Sequence, residues 1–237
     1  MPIRDDYILR MLDQVGDAIA RVLTGRSPGA EQMAEQELAS AYQELTGSGR
    51  ALVARLSSEQ LLAILGAPAG FNRERGYVLA RLLEADATLI ERGAAAGANA
   101  EDDGAGASAA ASARLKALDL YLEATRAGLD EEDLGERIAG LRDALAELHL
   151  PEASHWRIFD YVVGKGHYAA AEDLLFESLG RFGGDRAVAE RGRAFYRALD
   201  ALPDADLTAG ALPRPEVVEG RAAFEAALER SPRAETR

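Results

Sequence analysis

Apolar side chains return every three or four positions along most of this chain, and no stretch alternates apolar and polar residues with β-branched enrichment. That spacing is the period of an amphipathic helix, so the pattern predicts an all-α protein without a sheet. The first stripe comprises Tyr7, Ile8, Met11, Leu12, Val15, Ile19, Val22 and Leu23, with Asp5 or Asp6 as cap and Gly25 and Pro28 at its end. Its polar face mixes Asp13 and Asp17 with Arg10 and Arg21, unlike the basic face of a lipid-binding helix. A seam of Ile8, Leu12, Val15 and Ile19 is too apolar to leave in water, so it is expected to be buried within the chain or in a homodimer. Further helices are predicted over about 30–46, from Ser57 or Ser58 through Leu65, and over about 73–92.

Between Gly93 and Ser112 the pattern fails. The stretch is Ala/Gly/Ser-rich, carries Glu101-Asp102-Asp103, and offers almost nothing to bury. The expected organisation is an N-terminal helical region over 1–93, a flexible acidic linker over 94–112, and helical hairpins over 113–230. In that last part helices pair as 113–127 with 131–148 and 152–164 with 168–182, followed by one over 185–201 and a short one holding Val217, Val218, Phe224 and Leu228. Gly128 and Gly166 mark comparable turns 38 residues apart, inside the range of about 34 to 47 residues for helical repeats.

Composition narrows the function. A net charge of −13 argues against binding nucleic acid through its phosphates and against docking on an anionic membrane. With no cysteine there is no disulfide, thiol nucleophile or thiolate metal site. No apolar run reaches the roughly 20 residues that span a bilayer, and the acidic start is unlike a secretory leader, so the expected address is cytoplasmic. Aromatic residues make up only 6% and alanines are abundant, which favours thin helices in close contact.

No motif compels a reaction. Gly104-Ala105-Gly106-Ala107-Ser108-Ala109 spells a dinucleotide fingerprint but lacks the strand that must precede it. Glu152 and His155 have the spacing of a di-iron half-site, yet the partner half is missing, and zinc would need His149, His155 and His167 to converge. Glu131-Glu132-Asp133 reads as capping at a helix start. No metal or cofactor is therefore expected. Trp156, Phe159, Tyr161, Tyr168, Phe176 and Phe182 form the one dense aromatic cluster. It reads as core, and Trp156 or Tyr161 would be the partner-binding residues if either faced a groove.

Gly166-x-Tyr168-x-x-Ala171-x-x-x-Leu175 resembles the turn and second helix of a degenerate tetratricopeptide hairpin, while His155 and Phe159 stand at the usual Trp and Gly positions of the first. Residues 6–11 and 170–177 together resemble an uncharacterised bacterial family of all-helical cytoplasmic proteins with an amphipathic N-terminal helix and a tetratricopeptide-like C-terminal part. The resemblance implies a fold and no activity. The function expected is a protein–protein interaction or scaffold module without catalytic activity. The alternative is a small-molecule-binding or enzymatic helical domain with a pocket the sequence does not reveal.

Overall fold

In the computed structural model, the structure describes residue 16 and residues 28–66, 70–97 and 100–231. Among these the chain forms eleven helices and no strand, as the apolar period predicts. None of them is long and apolar enough to cross a membrane. The stripe from Tyr7 to Leu23, with its seam and homodimer expectation, lies outside the described residues. Two compact units divide at Leu150 and Pro151.

The first unit holds α1 (Pro28–Thr46), α2 (Arg50–Arg55), α3 (Ser58–Gly66), α4 (Arg73–Gly97), α5 (Ala100–Arg126) and α6 (Leu134–Ala144). Its centre is the hairpin of α4 and α5, which pack along their length with α1, α3 and α6 against them. The antiparallel register is set by Tyr77 beside Tyr121, with ring centroids 5.6 Å apart, and by the bidentate pair of Arg114 with Glu91. Residues Val78, Leu79, Ala80, Leu82, Leu83, Ala85 and Ala87 are buried in succession, so α4 runs through the core with apolar side chains around most of its circumference. Ala110, Ala113, Ala117 and Ala124 on α5 are buried too, and their small size lets the two backbones approach. Asp86, Lys116 and Asp119 are enclosed with them. Asp86, 5% exposed, accepts from Tyr42 Oη at 2.8 Å and pairs with Arg50 at 2.7 Å.

The stretch 94–112 read as a linker needs correction. Helix α4 runs to Gly97 and α5 begins at Ala100, so most of the stretch is helical. Alanine has the highest helix propensity, and a run poor in bulk can still be a strong helix former. The division into units falls after α6 instead, leaving the helices predicted over 113–127 and 131–148 in the first unit.

The second unit holds α7 (Glu152–Gly164), α8 (Tyr168–Phe182), α9 (Arg186–Asp200), α10 (Asp204–Ala209) and α11 (Arg214–Arg230). Helices α7 and α8 form the hairpin predicted around Lys165-Gly166-His167, and Gly166 takes the left-handed φ of +76° that closes the turn. Ala171 is fully buried. The aromatic residues form a chain through the core: Trp156, Phe159, Phe195, Tyr196, Phe224 and Phe176 meet in succession at centroid distances of 5.3 to 6.0 Å. Several meet edge to face, the arrangement ring quadrupoles prefer.

Candidate functional site

The residues singled out in the sequence scatter. Trp156 is only 6% exposed; its Nε1 donates to Glu152 Oε1 at 3.1 Å, and the Arg191 guanidinium lies over the indole at 4.7 Å. Tyr161 is half-buried with the Lys165 ammonium 5.7 Å from its ring centre. His155 is buried, with Nε2 3.0 Å from Leu174 O and 2.8 Å from Ser178 Oγ, whose hydroxyl itself donates to Leu174 O. Two acceptors at Nε2 place the proton there. Glu152 is committed to Trp156, and the ring of His155 points into α8, so the pair does not converge on an ion. No group of three or more metal-capable side chains forms among the described residues. Gly104 to Ala109 lie inside α5 rather than in a loop between strand and helix.

Two clefts remain. In the second unit a cavity of about 460 Å³ opens between α7, the start of α8, and α9. Phe159 and Val163 line it from α7, Tyr168 from α8, and Ala194, Phe195, Ala198 and Leu199 from α9, with Leu202 beyond. The first two are one helical turn apart, and the α9 residues recur at the spacing of one face, so amphipathic packing builds the groove directly. Its charged lining is one pair, Arg191 donating to Asp160 at 3.1 Å. Trp156 supports that pair from below and does not line the groove; neither does Tyr161.

The first unit has a polar cleft of about 500 Å³ where α4, α5 and α6 meet. Arg137 on α6 donates from Nη1 to Glu84 at 2.9 Å and from Nε to Asp133 at 2.7 Å. Tyr121 Oη donates to the same Glu84 oxygen, and Tyr77 Oη donates to Asp133 at 2.9 Å. Burial, then the charge and hydrogen bond of Glu84, push the Tyr121 phenol well above its usual range, so it stays a donor at neutral pH. Burial works to raise Asp133, yet the hydrogen bonds from Arg137 and Tyr77 outweigh it and hold the carboxyl below its usual range. Thr88, Arg114, Glu136, Gly140, Leu141 and Ala144 complete the lining.

The sequence reading passed over this cleft, although one signal was present. Arg81, Glu84, Thr88 and Glu91 form a polar stripe at helical spacing on the otherwise apolar run of α4. A polar face on a helix buried around its other sides asks for a polar partner.

Residues 2–228 match the model of a family of unknown function (DUF6483), and the chain belongs to that family. No curated protein and no solved structure matches it.

Proposed function

We propose that the chain is a protein–protein interaction or scaffold module without catalytic activity, binding through the groove of its second unit. The observation that carries the reading is the chemistry of the lining. Phe159, Val163, Phe195, Ala198 and Leu199 offer apolar surface, and the one ion pair beside them, Arg191 with Asp160, is internally neutralised. A small-molecule site is also largely apolar but adds a few polar groups aimed at the ligand, whereas the two charged groups here are turned to each other. An apolar groove between helices suits side chains from one face of an amphipathic helix. The tetratricopeptide-like pattern of Gly166, Tyr168, Ala171 and Leu175 supports the same reading, since such hairpins commonly present a groove to a protein partner. Trp156 enters as a positioning residue, its ring holding Arg191 beside Asp160 at the groove.

Affinity capture from native lysate with mass spectrometry tests this when run on three forms of the chain. Ala198 is exposed within the groove and Ala222 is exposed on α11 away from it. A stoichiometric protein partner should be retained by the unmodified chain and by Ala222→Arg and lost with Ala198→Arg. A partner retained by Ala198→Arg, or none recovered by any form, overturns the reading.

A further inference from the structure

We propose that the polar cleft of the first unit is a binding site for a small organic amine. Every guanidinium at this cleft is already answered. Arg114 is held by both oxygens of Glu91 at 2.5 and 2.6 Å, and Arg137 by Glu84 and Asp133. Arg81 donates to Tyr77 Oη at 3.2 Å and lies 3.9 Å from Asp133. An incoming anion would therefore meet guanidinium charge that a carboxylate already neutralises.

The acceptors are not used up. Both contacts to Glu84, from Tyr121 and Arg137, fall on Oε2, leaving Oε1 open. Glu136, one turn along α6 from Asp133, is exposed at the cleft and has no hydrogen bond or ion pair among the described residues. A ligand meets open carboxylate oxygens and no spare cation, which selects positive charge.

The remaining wall fits the rest of such a molecule. Leu141 and Ala144 supply apolar surface for methylene groups, and a Cβ at Gly140 would meet nothing within 4 Å, so that position opens into free space. The volume of about 500 Å³ lies within the ordinary range for small-ligand pockets, roughly 300 to 1,000 Å³. The wider field agrees: of the 40 acidic and 27 basic side chains, 25 and 15 precede Pro151. A cation is drawn to this half of the chain, and the cleft gives it a place to sit.

Isothermal titration calorimetry on the full chain tests the assignment, with 1,4-diaminobutane as probe and butanoate as the anionic control. Saturable binding of the diamine is expected, with no heat from butanoate. Glu136→Gln, which removes an exposed carboxylate without touching the core, should weaken binding about tenfold or more. Gly140→Leu fills the cleft from a position with room for the side chain and should abolish binding while the melting temperature is kept or raised, as replacing a helix-interior glycine does. Glu219→Gln, an exposed carboxylate of the second unit, reports charge alone and should leave binding unchanged. Equal weakening by Glu136→Gln and Glu219→Gln would show counterion condensation and overturn the proposal. So would tighter binding of Nα-acetyl-lysine amide than of the diamine, which would point to a protein side chain as the occupant.

Discussion

Glycines decide the packing of the second unit residue by residue. Gly192 on α9 is buried under Phe224, and a Cβ there would stand inside the van der Waals surface of that ring. Replacing glycine by alanine in a helix gains about 1 kcal/mol, whereas forcing atoms into a filled core costs about 1–3 kcal/mol. Phe224 is fully buried and cannot move aside cheaply, so Gly192→Ala is expected to lose stability. Gly180 on α8 is exposed, and a Cβ there would meet nothing. Gly180→Ala should gain about 0.5–1 kcal/mol, and urea midpoints of the two variants should move in opposite directions. The same reasoning makes Ala171→Leu more damaging than Ala169→Leu, since Ala171 is fully buried and Ala169 is not.

Two carboxylates make an opposed pair of pH predictions. Burial lifts Asp86 above its usual 3.8 in spite of Arg50 and Tyr42. Between 3.8 and that raised value the native state holds more proton than the unfolded one, so stability rises as pH falls through this window. Asp133 is held below 3.8 and contributes stability that is present above the unfolded value and lost as pH falls through the folded one. Urea unfolding at about pH 6, 4 and 3 should show the unmodified chain gaining on Asp86→Asn between the first two and losing to Asp133→Asn between the last two. Parallel curves would show that neither carboxylate is perturbed as the geometry requires.

At the scale of the helices, one device recurs: a cation from elsewhere closes the C-terminal end of a helix. Arg75 donates to Leu45 O at the end of α1, and Lys116 Nζ to Ala54 O at 2.5 Å near the end of α2. Arg73 donates to Gly128 O at 2.8 Å just beyond α5. Arg214, opening α11, donates to Leu199 O at 3.1 Å and to Leu202 O around the end of α9. The last carbonyls of a helix lack intrahelical donors and carry its negative pole, so a guanidinium or ammonium satisfies both needs. Arg214→Met should cost about 1.5–3 kcal/mol, the usual worth of hydrogen bonds from a charged donor. Circular dichroism during urea unfolding would measure it, and an unchanged midpoint would show that water caps α9 equally well.

The helices themselves were largely legible in the sequence. Pro151, Gly166 and Gly183 bracket α7 and α8, and the predicted bounds 152–164 and 168–182 coincide with the observed ones. Helices α2 and α10 were missed because six residues are too few to display a period. The start of α5 was missed because alanine carries helix propensity without hydrophobic contrast. The groove was half visible: the apolar faces of α7 and α9 can be read from spacing, but not the fact that they flank one cavity. The polar cleft depends on Arg137 crossing to Glu84, 53 residues away in sequence, and local periodicity carries no information about such pairs.

For the whole molecule, the place where the chain divides has consequences that differ from those of its composition. Leu118, Leu120 and Leu122 on α5 are buried within a first unit centred on the α4–α5 hairpin. A fragment beginning at 113 would start inside α5, keep its buried leucines and lose α4, exposing that apolar face to water. A fragment beginning at Pro151 keeps α7 to α11 together with the linked rings from Trp156 to Phe224. It should fold alone, with helical circular dichroism and a single cooperative urea transition. The fragment from 113 should instead aggregate or show a second, non-cooperative phase, visible by light scattering. If the longer fragment proved monomeric and cooperative while the shorter one failed to fold, α5 and α6 would belong energetically with the second unit, and the boundary at Leu150 would be wrong.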